Sequence, residues 1–129
     1  MTPLRTEVEL VEDPDLDELE AHFPETVLHL LQSKLGTKSR VRLQPLKQDR
    51  SFQYRCPCLF HDDHRNPNGR IALGDEDTGP RLYCNSCSRT WFVQGLLSET
   101  GQTSTQLWSK VEARLPELRK LVRPPPPGG

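Results

Sequence analysis

The sequence predicts a small α+β fold, an antiparallel sheet of about five short strands with helices flanking it at both ends, and three observations predict it. Two short hooks, Cys58-Leu59-Phe60-His61 and Cys84-Asn85-Ser86-Cys87, stand near the middle of the chain, with 22 residues between His61 and Cys84. Around them, short stretches alternate apolar and polar side chains, the period of a half-buried strand. Outside them, apolar residues recur at helical spacing over 24–35 and 103–122.

The hooks come first because they fix the chemistry. Two residues between ligands let one tight turn aim both side chains at a common point, and two such turns facing each other complete a tetrahedron. Zn²⁺ takes that geometry in closed structural sites, with Zn–S at ~2.3 Å and Zn–N at ~2.0 Å. A single pair of this kind also reads as a redox motif, whereas two pairs read as a metal site. The insert between them can run out and back as a hairpin, so the expected core is a zinc ribbon with one structural Zn²⁺ on Cys58, His61, Cys84 and Cys87. Cys56-Pro57-Cys58 offers a second thiol near His61, and Cys56 is the alternative ligand. Spacing favours Cys58, which repeats the turn of Cys84 to Cys87. His64, among Asp62, Asp63 and Arg65, reads as a turn residue or a phosphate contact.

Composition supports a metal staple. The chain has 129 residues, 12 of them proline, and a mean hydropathy of -0.69, so it has little apolar material for a core. Small domains of this kind gain stability from a metal that folds with its ligands. Met1 to Leu10 carries no basic start followed by an apolar run, and no stretch approaches the ~20 apolar residues of a membrane span. The expectation is a cytoplasmic protein with no membrane association, in which paired thiols serve metal rather than disulfides. The net charge of -1 hides an asymmetry. Residues 1–25 hold nine acids and Arg5 alone, about -8, which leaves about +7 for the remainder.

In chain order, residues 1–25 form an acidic, largely flexible segment. Within it, Leu16, Leu19 and Phe23 share a face if 15–20 becomes helical, and the acids either stay solvated, shield the basic face or bind a partner. A ribbon domain is expected over 26–98. Its first helix runs from Pro24 to Leu35, with Pro24 in the first turn, Gly36 as stop, and Val27, Leu28, Leu30, Leu31 and Leu35 as the buried stripe. Ser39 to Leu46 and Ser51 to Cys56 read as two strands joined at Gln48-Asp49-Arg50. Arg70 to Leu73 and Arg81 to Tyr83 follow as short strands, and Thr90 to Val93 either continues the sheet or leads into a helix through Leu97. The segment 99–122 is helical, capped at Thr103-Ser104-Thr105 and kinked or divided at Pro116. Its stripe of Leu107, Trp108, Val111, Leu115, Leu118, Leu121 and Val122 is expected to pack on the sheet. Residues 123–129 are a stiff, disordered tail.

From Lys34 to Arg55 there are seven basic residues and one acid, interleaved with aromatics. That combination points to a stacking platform with a cationic groove, the equipment of a single-stranded nucleic-acid binder. Lys38, Arg40, Arg42, Arg55 and Arg70 are the candidates for phosphate contact. Phe52, Tyr54, Tyr83 and Trp91 are the candidates for stacking, some of them belonging to the core.

At Tyr54-Arg55-Cys56-Pro57-Cys58-Leu59-Phe60-His61-Asp62-Asp63, Asn66-Pro67 and Leu82-Tyr83-Cys84-Asn85-Ser86-Cys87, the sequence resembles the zinc-binding domain of bacterial and phage DNA primases of the DnaG type. Trp91 to Leu97 looks like that family's closing hydrophobic helix, and the resemblance covers about Val27 to Leu97. It departs from the family in two places: Pro57 and the Cys58 hook share features that the family puts on one cysteine, and Ser88-Arg89-Thr90 replaces a glycine-rich turn. The acidic metal-binding motifs of the primase catalytic core are absent. The resemblance implies a template-reading module without the polymerase. It would bind single-stranded DNA during replication and primer synthesis as an accessory to a separate primase catalytic chain or helicase chain.

Two other classes are weighed against this. One is a zinc-ribbon protein–protein adaptor that uses the acidic segment and the C-terminal stripe, with no nucleic-acid role. The other is a zinc hydrolase or deaminase acting on a small molecule. That class needs an open metal position and a general base, and no His-x-Glu or His-Glu-x-x-His motif occurs. The chain is therefore expected to be no enzyme on its own and to take no small-molecule substrate.

Overall fold

A computed structural model describes residues 15–35, 43–46, 51–60, 68–74 and 77–122. Among the described residues the element order is two helices, five strands and three helices. Helix α1 (Leu16–Ala21) has Asp17 and Glu18 in its first turn, where carboxylates favour the positive end of the helix dipole. It stops at His22, and α2 (Phe23–Leu35) starts afresh, because Pro24 lacks the N–H that would extend the α1 ladder.

Strands β1 (Gln44–Pro45), β2 (Tyr54–Cys56), β3 (Gly69–Ala72), β4 (Arg81–Cys84) and β5 (Arg89–Trp91) form one antiparallel sheet in sequence order. This is the α+β architecture that the periodicities predict. The basic strand pair is shorter than its alternation suggests, since β1 keeps two residues and β2 three. Pro45 cannot donate to a ladder, which suits its place on an edge strand. Thr90 to Val93 serves both of its expected uses, ending β5 and opening α3 (Val93–Thr100).

Gly101, at φ +69°, closes α3, with the Gln102 N–H donating to the Leu97 carbonyl. Thr103 then caps α4 (Ser104–Ala113) through a reciprocal box with Gln106. Pro116 divides the C-terminal helix, as expected: α4 ends at Arg114, and α5 (Leu115–Leu121) carries the proline in its first turn.

Two expectations are corrected by the packing. Residues 15–25 are not a flexible tail, because they form α1 and the start of α2, with Leu19 and Phe23 fully buried. The C-terminal helices take α1 and α2 as packing partners rather than the sheet: α4 lies on both, and α5 lies on α2. Leu107, Val111 and Leu118 thereby meet Leu19, Phe23, Val27 and Leu31 in a core continuous with the sheet residues Ile71, Leu82 and Trp91. Each such side chain contributes about 1.5–3 kcal/mol by leaving water. Arg114, at the α4–α5 junction, fastens the bundle by donating to His29 and Gln32 of α2 and to Glu117. Residues 1–14, 36–42, 47–50 and 123–129 lie outside the described residues, and with them the expected stop at Gly36, the Gln48 to Arg50 turn and the tail.

Candidate functional site

Three of the expected ligands converge. Cys58 follows β2, Cys84 ends β4, and Cys87 sits in the turn from β4 to β5. That turn is closed by the Ser88 N–H donating to the Cys84 carbonyl at 2.8 Å, with Ser88 held at φ +54°. The three sulfurs lie within 4.8 Å of one another, and Cys58 Sγ and Cys87 Sγ are 3.8 Å apart. A tetrahedron with Zn–S at ~2.3 Å has an edge of about 3.8 Å, so the pair already stands at the separation that a shared metal imposes. It is too far apart for a disulfide, and no disulfide joins any of the four cysteines.

The backbone also prepares these sulfurs for charge. The Phe60 N–H points at Cys58 Sγ at 3.3 Å, and the Cys87 N–H at Cys84 Sγ at 3.4 Å. In the metal-free chain, burial pushes the Cys58 thiol up to about 12, partly offset by the Phe60 N–H and reinforced by the neighbouring Cys84 and Cys87 sulfurs. Cys87 is also raised, by burial first and then by Cys84, while the nearby Arg89 acts in the opposite direction. Three thiols crowded in one pocket resist ionising together unless a cation joins them, which is what a thiolate-bound metal ion supplies. The donor set therefore fits a metal ion.

Cys56 is not a member of the group. It is buried on the same face of the sheet as Cys84, with Gly69 between them in register. A Cβ at Gly69 would stand 2.7 Å from the Cys56 carbonyl oxygen and 3.1 Å from that of Pro57, so only glycine lets the Cys56–Pro57–Cys58 hook approach β3 this closely. His61 and His64 lie outside the described residues. Each hook has a further anchor that the sequence did not reveal: Lys34 donates to the Leu59 carbonyl of the first at 2.6 Å, and the Asn68 amide donates to Ser86 Oγ of the second at 2.8 Å.

The pleat sorts the remaining candidates by face. Tyr54, Ile71, Leu82 and Trp91 form one cross-strand row, and Arg55, Arg70, Tyr83 and Thr90 form the row on the opposite face. Tyr54 and Trp91 are each 2% exposed, so these two stacking candidates are core residues. Trp91 packs on Phe60 at 4.5 Å between ring centroids and lies beneath the Arg89 guanidinium. Phe52 and Tyr83 are half-exposed and stacked on each other, at 5.9 Å between centroids and 26° between planes. Arg55 and Arg70 are half-exposed on the same face as Tyr83. Arg81, which the sequence reading did not single out, shares that face, with its guanidinium 5.8 Å from the Phe52 ring centre. Lys38, Arg40 and Arg42 lie outside the described residues. None of the described helices is long and apolar enough to cross a membrane.

Comparison with protein-family models, with curated proteins and with solved structures finds no match to this chain.

Proposed function

We propose that this chain is a zinc-ribbon protein that binds single-stranded DNA on the open face of its sheet, in the manner that its resemblance to the zinc domain of DnaG-type primases implies. One structural Zn²⁺ is held by Cys58, Cys84 and Cys87, with His61 as the fourth ligand. Four protein ligands leave no position for an activated water, so the metal rigidifies the sheet and performs no hydrolysis. The chain then acts in replication as a template-reading accessory to a separate primase catalytic chain or helicase, without catalysing a reaction itself.

The observation that carries this reading is the open face, where Arg55, Arg70 and Arg81 surround the stacked Phe52–Tyr83 pair. Cations beside exposed rings are what a single strand needs, phosphates on the one and bases on the other. The competing adaptor reading relied on the acidic segment and the C-terminal stripe, and of that stripe Leu107, Val111 and Leu118 are fully buried within the bundle. The test is a titration of the zinc-loaded protein with labelled single-stranded DNA at two salt concentrations, beside a Cys84→Ser, Cys87→Ser control. Binding that weakens with salt and disappears in the control supports the reading. A folded, zinc-loaded protein that ignores DNA at low salt refutes it.

A further inference from the structure

Helix α5 has little of its own to hold it. Its seven residues are too few for a stable isolated helix. Leu118 is fully buried, while Pro116, Glu117, Arg119, Lys120 and Leu121 are exposed. Two arginines fasten it to the N-terminal helices, and both use a histidine. At its start Arg114 Nη1 meets His29 Nδ1 of α2 at 3.0 Å. Further along, Arg119 Nη2 meets Nε2 of His22, the residue between α1 and α2, at 3.4 Å. A guanidinium has only donors, so each of these ring nitrogens must present a lone pair and each imidazole must be neutral. At His22 a second contact fixes the same tautomer: Nδ1 lies 3.1 Å from the Glu18 carbonyl, which can only accept, so the proton is on Nδ1 and the lone pair on Nε2.

We propose that α5 is a proton-released latch, docked on α2 while His29 and His22 are neutral and let go when they are protonated, with the ribbon left in place. A protonated imidazole donates from both nitrogens. At either contact an N–H would then face an N–H and one positive charge another, so that a bond becomes a repulsion. The charges around His29 are Arg114 and Lys110 of α4, both cations, and Glu117 of α5, which accepts from Arg114. Gln32, one turn along α2, accepts from Arg114 as well, so the guanidinium is held against the imidazole as long as the helices stay together. Around His22 stand Arg119 from α5, the Glu18 carbonyl from α1 and the Trp108 ring from α4, stacked at 5.4 Å between centroids. His29 is 8% exposed, so little water reaches an imidazolium there until the latch opens. In the closed form burial, then Arg114 and Lys110, hold His29 below its ordinary pKa, whereas in the open form it returns toward about 6.5. The open form therefore binds the proton more tightly, and opening is promoted as the pH falls below that value and suppressed above it. When α5 leaves, Leu118 leaves with it and uncovers an apolar face of α2.

The test uses the zinc-loaded full chain in excess zinc, with amide hydrogen exchange followed by NMR across the histidine range, from about pH 7.5 to 5. The Leu118 and Val122 amides, which donate to the Arg114 and Leu118 carbonyls, report the latch. The Leu96 and Ser88 amides, which donate to the Phe92 and Cys84 carbonyls, report α3 and the ligand turn. After correction for intrinsic exchange rates, protection in α5 should fall below about pH 6.5 by about tenfold per pH unit for each proton taken up, while Leu96 and Ser88 keep theirs. His29→Gln keeps an acceptor for Arg114 and loses the titrating group, so it should remove about one proton from this slope. His22→Gln should remove a smaller share, its arginine contact being longer, and the double variant should keep α5 protected at acid pH. Arg114→Gln, whose amide can turn to accept from a protonated ring, should also flatten the slope, and it carries the test if His29→Gln does not fold. Protection of α5 that does not vary with pH in the parent, or a slope that survives in the double variant or in Arg114→Gln, overturns the proposal. So does a loss of protection at Leu96 and Ser88 in the same step, because the whole molecule would then be unfolding in acid rather than releasing one helix.

Discussion

Replacing Gly69 with alanine sets two physical terms against each other, and the structure decides the sign. A strand interior favours alanine over glycine by about 0.5–1 kcal/mol, since glycine loses more conformational freedom on folding. Against this, the new Cβ would stand 2.7 Å from the Cys56 carbonyl oxygen, 3.1 Å from that of Pro57 and 3.2 Å from Cys56 Sγ. Two of these three neighbours are backbone, which cannot rotate away, so β2 must move off β3. Overpacking of this kind costs about 1–3 kcal/mol, and the net effect should be a loss of about 1–2 kcal/mol. At roughly 4–8 °C per kcal/mol for a domain of this size, Tm falls by several degrees. The displaced segment carries Cys58, so zinc affinity should fall as well, read by competition with a chromophoric chelator. The companion variant Gly95→Ala meets only the Trp91 side chain, at 3.5 Å and beyond. It lies within α3 and should gain about 0.5–1 kcal/mol from helix propensity. A Gly69→Ala protein that is more stable than its parent and holds zinc equally well would refute the reasoning about the β2–β3 approach.

Four further outcomes are expected. Arg114→Ala removes the donor shared by His29, Gln32 and Glu117 and should cost about 2 kcal/mol in urea unfolding, as hydrogen bonds to a charged group do; a loss within error of zero would show that the bundle closes without it. Thr103→Ala breaks the capping box of α4 and should cost about 1 kcal/mol by the same measurement. His29 is held below its ordinary pKa by burial, then by the Arg114 and Lys110 charges, so below about pH 6.5 the unfolded chain takes up its proton first. Its contribution is complete above that pH and is lost as the pH falls, and His29→Gln should flatten that part of a stability–pH curve. In the metal-free protein the Cys58 thiol lies at about 12, so zinc loading must release protons. Affinity should then fall with decreasing pH, and zinc added to apoprotein in weak buffer should acidify it.

The parts of the fold that could be read from sequence are those set by local spacing. The hooks were legible because ligand spacing is a property of one turn, and three of the four expected ligands belong to described residues that come together. The cap at Thr103-Ser104-Thr105 and the break at Pro116 were legible because each is settled within a few residues. What covers a stripe was not legible. Leu107, Val111 and Leu118 announce a buried face, yet a period of 3.6 does not say whether a sheet or another helix covers it, and the covering helices come from the other end of the chain. The acidic segment misled in the same way, because its surface charges outnumber Leu19 and Phe23, although those two decide that it folds. Among the aromatics, alternation placed Phe52 and Tyr54 on one face, but β2 begins only at Tyr54. The pleat therefore does not extend to Phe52, which lies instead against Tyr83 on the open side. Arg81 escaped attention because its significance comes from register with β3, which no single segment displays.

The bundle and the ribbon are joined at more than their shared core, and this bears on why α2 belongs to the same unit as the metal hooks. Lys34, in the last turn of α2, donates to the carbonyl of Leu59, midway along the first hook. Glu25, in the first turn, is close enough to help raise the Tyr54 hydroxyl, after burial, which is the larger cause. The helix thus acts on β2 through the charge of Glu25 at one end and bonds the ligand turn through Lys34 at the other, and a metal ion that fixed the turn would also fix the seat of α2. Removing the metal should therefore disturb the helices as well as the ribbon. On chelation, far-UV circular dichroism should lose helical signal in the same transition that releases zinc, and Lys34→Met should separate the two by letting helical signal persist after the metal has gone. Two independent transitions in the parent protein would show that the bundle stands on α1, α2, α4 and α5 alone.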